Sequence, residues 1–358
     1  MTVRSPSRAR GGSIPSQVQA LYYGNVTGGE TEHQLHMGPL AATMLGLPSI
    51  PTTRFETACA TSHAAFRHAV MEIASGVSDI ALVGGAERVL NVPTDAATEY
   101  FAYCSDATYE QSLGLTFPGV FALIARAHMD RYGTTEEQMA HVAVKNHRHG
   151  TLNPKAQFQK EISLETVLRS PYVADPLKLY DCCPFTDGGA AVVLAAEDVA
   201  RRRRAVWVLA TEAAADTMFI HEKRDLARVP ATERAALQAY RRAGKTPGEI
   251  DVVELHDCFT IAEIVATEGL GFFEPGSGGI AAEKGWTSLG GKIPVNPSGG
   301  LKAKGHPIGA TGAAQIGEIV TQLRGDAGAR QVAGARTGLV HTLGGNTATV
   351  LVSLLGRD

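Results

Sequence analysis

The chain twice repeats one arrangement, a reactive side chain at a loop-to-helix junction ahead of an Ala- and Gly-rich helical run. Cys59 precedes such a run over 62–75, and His306 precedes one over 308–323. Around Cys59, residues 20–26 read as a short strand. The helix over 62–75 stops at Gly76, and the compact apolar run 79–84 reads as a buried strand, as does 190–195. Around His306, strands are expected over 206–213, 250–255, 337–341 and 347–354, with helices over 232–243 and 259–270 and a glycine- and lysine-rich loop over 297–304. Strand, helix and strand in that order imply layered α/β architecture. The repeat is one of shape rather than of letters. It divides the chain into halves at 17–200 and 205–358, near the run Arg201–Arg204, which reads as a solvated helix end. Residues 90–185 read as a loop-rich excursion over the core, interrupted by a helix over 134–148 capped by Thr134 or Thr135.

Composition narrows the function classes. Of 358 residues, 44% are hydrophobic and 19% charged, an ordinary globular profile. The formal net charge of −3 supplies no basic field for nucleic acid. No stretch approaches the ~18–20 unbroken apolar residues of a membrane span. Five cysteines, Cys59, Cys104, Cys182, Cys183 and Cys258, make an odd set in a large chain, which fits a reducing compartment better than a disulfide framework. Cytoplasm or an organellar matrix is therefore expected. No Cys-x-x-Cys pair is present, and His63/His68 and His147/His149 match no zinc spacing, so no metal site is expected. Residues 1–16 are polar, with arginine and serine but no acid before Gly12. They read as a disordered or displaced segment rather than a targeting signal.

The reactive residues group into three motifs, Glu56-Thr57-Ala58-Cys59-Ala60-Thr61-Ser62, His256-Asp257-Cys258-Phe259 and Lys304-Gly305-His306-Pro307-Ile308-Gly309. A cysteine just before a helix meets free N–H groups and the positive end of the helix dipole, which favours thiolate. Small neighbours leave room for a bulky thioester. A buried structural cysteine is the simpler reading of Cys59 taken alone. His306, flanked by glycines, is a candidate general base for a thiol. His256 and Cys258 follow a strand end, where alternation puts both on one side. Lys302 and Lys304 are candidates for phosphate contact or, equally, solvated loop lysines.

Taken together, the motifs ETACATS, HDCFTIAEI, GGKIPVNPSGGLKAKGHPIGATG and GLVHTLGGNTATV resemble the thiolase superfamily, in its archaeal and sterol-carrier-protein-type branch. The resemblance runs from about residue 17 to 355. It implies an α/β thiolase fold of two similar halves, each with a five-stranded mixed sheet, in αβαβα layering. It also implies a strand and helix ahead of residues 21–26, so that the first half here lacks its first strand, taken to be central. It implies that Cys59 carries the acyl group, that His306 deprotonates it, and that His256 serves the oxyanion hole of the second acetyl group. Cys258 is implied as the acid/base for the α-proton. Many thiolases place that second cysteine near the C-terminus, where Thr342 stands here. Backbone N–H groups of Cys59 and Gly344 are implied as a second oxyanion hole.

The resemblance further implies CoA thioesters as substrates with no bound cofactor, and a homodimer or tetramer. A small OB-fold, zinc-ribbon partner protein is also implied. The activity expected is an acetyl-CoA C-acyltransferase that makes or cleaves 3-ketoacyl-CoA in lipid metabolism. Acyl transfer to another carbon acceptor and a non-catalytic subunit of a complex are the alternatives. Retro-aldol relatives lack this cysteine set.

Overall fold

The computed structural model describes residues 17–201 and 204–357. The expectations for residues 1–16, and for the interior of the arginine run at 201–204, lie outside the described residues.

In the first half, β1 (Ala20–Gly24) and β2 (Thr52–Phe55) precede α1 (Thr61–Ser75) and β3 (Ile80–Glu87). Next come α2 (Phe117–Tyr132), α3 (Glu136–Gly150), the hairpin β4 (Tyr172–Ala174) and β5 (Leu177–Lys178), and β6 (Gly188–Ala195). The second half runs β7 (Trp207–Ala215), α4 (Pro230–Ala243), β8 (Val252–Glu254), α5 (Thr260–Gly269), α6 (Thr311–Arg324), β9 (Thr337–Gly344) and β10 (Thr349–Gly356). Gly76 ends α1 in the left-handed region at φ 77°, as its sequence position implies.

The excursion is richer in helix than the sequence suggests. Helix α2 runs for 16 residues with Pro118 in its first turn. Pro118-Gly119 resembles a turn signal, but a first-turn proline loses no intrahelical hydrogen bond. Helix α3 is capped by Thr135, whose hydroxyl accepts from Gln138 N at 3.2 Å while Gln138 Oε1 accepts from Thr135 N at 3.3 Å.

The two mixed sheets show the duplication. The first has strand order β2-β1-β3-β6, with β1 parallel to β2 and β3, and β6 antiparallel to β3. The second has order β7-β10-β9-β8, with β8 parallel to β9 and the remaining pairs antiparallel. Beyond β8, Val295 forms a parallel bridge to Val253, in the place β2 holds in the first sheet. The expected five strands thus become four in each sheet among the described residues, with the bridge at Val295 marking a fifth position in the second. The missing strand is not central either, because β1 and β3 pair directly over Ala20–Gly24. The unmatched position lies at the edge, beside β6, where the second half has β7. A cleft of about 2770 Å³ opens there between β6, β7, α1 and α6.

Helices α1 and α6 form the layer between the sheets. Phe66, Ala69 and Ile73 from α1 pack with Ile316, Ile319 and Leu323 from α6, against Val83 and Val340 from the two sheets. Helix α4 covers the far side of β7 and β10. This sandwich carries the chain end before α1 and the chain end before α6 to the same place.

An edge strand leaves alternate backbone groups without a ladder partner. In β6 these groups face the cleft, whereas β10 is paired on both sides. Amide hydrogen exchange is therefore expected to be at least ~10-fold faster at the β6 amides not bonded to β3 than at the β10 amides. Equal protection along β6 and β10 would mean that another segment covers this edge.

Candidate active site

The turn before α1 presents Cys59. Ala58 takes φ 50°, a left-handed conformation disfavoured for a residue with a Cβ. Three bonds hold it. Ala58 N donates to Glu56 Oε1 at 2.6 Å, Thr61 Oγ1 donates to Ala58 O at 2.6 Å, and Thr57 N donates to Thr61 Oγ1 at 2.9 Å. The turn also packs against the second half. A Cβ on Gly344 would lie 2.3 Å from Thr57 O, so only glycine fits there. The amides of Gly345 and of Cys59 itself are directed at the Cys59 sulfur.

Cys59 keeps partial exposure and is otherwise enclosed by protein. Burial pushes its thiol well up, and the neighbouring thiols of Cys104 and Cys183 add to this. The amides of Gly345 and of Cys59 itself oppose the shift without reversing it. The expected thiolate-favouring environment is therefore not what the structure holds. Desolvation outweighs the helix terminus, so the resting group is a neutral thiol.

The second half supplies the histidines. His306 lies in the loop before α6, its N–H donating to Thr186 Oγ1 at 2.9 Å. Its Nδ1 lies 2.7 Å from Thr311 Oγ1, and that hydroxyl donates its own proton to Pro307 O at 3.0 Å. Thr311 must then accept from Nδ1–H. This fixes the tautomer and leaves Nε2 as the free lone pair. Burial, with the Lys304 charge, lowers His306 to about 3, so the ring is neutral. His256 lies beyond β8, fully buried, and neither ring nitrogen has a hydrogen-bond partner. Burial lowers it as well, followed by the fields of His306, His341 and Lys304. The two rings meet edge-on, with centroids 5.0 Å apart at 81°. One donor atom each from Cys59, His256 and His306 lie within 4.8 Å of one another.

Cys258 is also buried, its thiol pushed well up by desolvation and then by Cys183 and Cys59. Cys183, a residue the motifs do not mark, donates its N–H to Cys258 O at 2.9 Å. Beneath this segment runs a buried polar cluster. Asp257 accepts from Leu301 N at 2.7 Å, Lys302 N at 3.3 Å and Asn146 Nδ2 at 2.7 Å. Glu263 pairs with Lys145 at 3.0 Å. A Cβ on Gly300 would sit 2.2 Å from the Asp257 carboxylate, so that glycine lets the HDCF segment and the glycine-rich loop close on each other. Glu87 makes a second tie. It accepts from Asn25 Nδ2, the Val26 and Thr27 amides and the Thr27 hydroxyl, and from Gly309 N at 2.9 Å across the half-boundary. Glu87, Asn146 and Cys183 escaped sequence reasoning because each acts through contacts remote in the chain. Thr311, only five residues beyond His306, was within its reach.

Neither loop lysine is turned toward solvent. Lys302 is 1% exposed, and its ammonium donates to Cys182 O. Lys304 lies 3.5 Å from Glu254 and keeps 14% of its side-chain surface. Of the two candidates for CoA phosphate, Lys302 is held by a carbonyl and Lys304 stands beside the Glu254 carboxylate.

The chain belongs to the thiolase family. It matches the thiolase N-terminal domain over residues 9–198 and the thiolase C-terminal domain-like family over 212–357. It is 48% identical to an acetyl-CoA acetyltransferase of Methanothermobacter thermautotrophicus, over 96% of this chain and 89% of that protein. It is 38% identical to sterol carrier protein 2 of Bos taurus, over 86% of this chain and 59% of that longer protein. Among solved structures, an Ltp2-ChsH2(DUF35) aldolase superposes with a TM-score of 0.80 at 26% identity, over 96% of this chain and 88% of that one. The chain is accordingly an acyltransferase of the thiolase kind.

The buried histidines make stability depend on acid. His63, His149, His306 and His341 are each lowered to about 3, burial being the main cause. The unfolded chain binds these protons near the ordinary 6.5, so stability is full above that value and falls as the pH drops toward the folded values. Each group removes about 2 kcal/mol by pH 5. Glu87, Glu254 and Asp257, raised by burial, act in the opposite sense and offset part of this. Circular dichroism is expected to show cooperative acid unfolding with a midpoint above about pH 4. A fold intact at about pH 3.5 would show that these rings are protonated in the native state.

Proposed function

We propose that the protein makes and cleaves 3-ketoacyl-CoA through an acyl group carried on Cys59. The observation that carries this reading is the convergence of the donor atoms of Cys59, His256 and His306 within 4.8 Å, drawn from three motifs in two halves. His306 Nε2 takes the Cys59 proton as the sulfur attacks the thioester carbonyl. The acyl–sulfur bond to CoA breaks and an acyl–Cys59 bond forms. The leaving CoA sulfur takes its proton from Cys258, which becomes a thiolate while His306 keeps the Cys59 proton on Nε2. One thioester replaces another of similar energy, so little free energy is lost.

In the second step the Cys258 thiolate left by acylation removes the α-proton of a bound acetyl-CoA and becomes a thiol again. The enolate oxygen develops charge beside His256 and His306, where a donor placed in advance lowers the barrier by a few kcal/mol. The enolate carbon attacks acyl–Cys59, forming the carbon–carbon bond and releasing the thiol. Thiolysis is the reverse, with Cys258 activating the incoming CoA. A resting site of neutral thiols and neutral imidazoles suits this sequence, because the proton needs to move only when substrate is present.

A second reading is favoured by one observation. Lys302 and Lys304 are turned inward, so the described residues offer no evident pair of loop lysines for the CoA phosphates. The resemblance to a chain found in an Ltp2-ChsH2(DUF35) aldolase supports a small OB-fold partner that completes the CoA site. Retro-aldol chemistry is less supported, since Cys59 and Cys258 are both present and enclosed. A homodimer working in the cytoplasm on lipid-derived thioesters belongs to the same proposal, and sedimentation analysis tests the dimer.

Thiolysis of acetoacetyl-CoA tests the main reading. Wild type is expected to turn over, and Cys59→Ala and Cys258→Ala to lose at least ~10³-fold in kcat while remaining folded. Inactive but folded wild type that gains activity on adding a partner would transfer the proposal to the complex. Thr311→Val is expected to lower kcat roughly 10- to 100-fold with little change in KM, because the His306 tautomer is no longer held. Unchanged kcat would remove Thr311 from the positioning role.

A further inference from the structure

The same three side chains also meet the requirements of a metal chelate. Cys59, His256 and His306 offer one sulfur and two imidazole nitrogens within 4.8 Å of one another. His256 is fully buried with both nitrogens unpartnered, an arrangement that costs free energy unless something binds there. Only one nitrogen of His306 is in use, by Thr311, which acts as the outer hydrogen-bond partner that commonly orients a ligating histidine. A mixed S,N,N set with an open fourth position is the pattern of tetrahedral zinc sites that keep one place for water or substrate. Donors around a tetrahedral zinc lie about 3.3–3.6 Å apart, so closure by roughly 1 Å through side-chain rotation completes the geometry. The nearest cation, Lys304, is paired with Glu254 at 3.5 Å, which limits its repulsion of a second positive charge.

We propose that Cys59, His256 and His306 bind one thiophilic divalent cation of the zinc or cadmium class, and that the bound ion blocks acylation. On binding, the Cys59 S–H bond breaks and its proton passes to buffer. A sulfur–metal bond forms, the two imidazoles donate lone pairs, and no oxidation state changes. An ion on Cys59 occupies the lone pair that would attack a thioester, so inhibition should compete with acyl-CoA. An acyl group on Cys59 should in turn exclude the ion. The inhibition rests on the function proposed above, but the binding does not.

Cadmium chloride added to the chelator-treated full chain tests this. Wild type is expected to take up one cadmium per chain, with a thiolate-to-cadmium charge-transfer band in the ultraviolet that EDTA removes. Cys59→Ala should lose the band, His256→Asn should bind at least tenfold more weakly, and Cys104→Ala should bind as wild type does. Cadmium should stop thiolysis, with protection by acetyl-CoA. No band in wild type, or a band that survives Cys59→Ala or is undiminished in His256→Asn, would overturn the proposal. A wild type that binds cadmium in this pattern yet shows no thiolysis upholds the metal site and counts only against the function proposed above.

Discussion

The site depends on how closely the two halves approach at the layer between the sheets. A Cβ on Gly312 would fall 2.5 Å from His63 N, and one on Gly309 would meet the Glu87 carboxylate at 2.7 Å and Asn25 Cα at 2.8 Å. Ala313 N donates to Ser62 Oγ at 2.9 Å across the same seam. Gly312 is therefore a contact position between α6 and α1, and Gly309 one between the segment just before α6 and the loop after β1. An added methyl at such a place forces backbone apart, at about 1–3 kcal/mol where the packing can yield at all. The larger consequence is geometric, since Cys59 precedes α1 and His306 precedes α6. Any widening of the seam separates Cys59 from His306, the nucleophile and base of the proposed reaction.

The polar ties reinforce that approach. Glu87, at the end of β3, gathers the loop after β1 and the Gly309 amide of the other half. Asp257 gathers the glycine-rich loop against the HDCF segment and Asn146 of α3. Both carboxyls are raised by burial, and both are saturated with donors, which keeps so costly a burial tolerable. His63 makes a third tie from α1, through Thr342 at 2.9 Å and Ser353 at 2.7 Å. Thr342 stands where many thiolases carry a cysteine. Here its hydroxyl serves the seam, and the second thiol of the proposed reaction is that of Cys258.

Much of this was legible in the sequence. The helices after Cys59 and His306 and most of the strands follow from apolar runs bounded by glycine, where local pattern and tertiary burial agree. The cysteines and histidines stood out only as a set, because each taken alone also fits a structural use, whereas the three motifs together resemble one family. What escaped is what depends on depth. Helix-terminus reasoning favoured a Cys59 thiolate, whereas burial makes it a neutral thiol. Lys302 and Lys304 looked like surface lysines in a loop, yet that loop lies under other chain. Zinc-type spacing was sought within single segments and was absent, but the candidate ligands stand at positions 59, 256 and 306 and meet only in the fold.

The electrostatic state of the site follows from the same enclosure. A neutral thiol beside neutral rings carries no net charge to attract or repel a thioester, so recognition falls to shape and to donors aimed at developing charge. It also leaves lone pairs exposed to any soft cation that can enter. In the proposed acyl chemistry, an unpaired N–H of His256 is the donor that the enolate oxygen meets. The proposed chelate uses the ring's lone-pair nitrogen instead, and with neither nitrogen hydrogen-bonded both uses are open. Burying His256 against a fixed partner would remove the hazard together with the oxyanion site. The orphaned ring is thus what the proposed reaction requires, a donor that no structural hydrogen bond occupies.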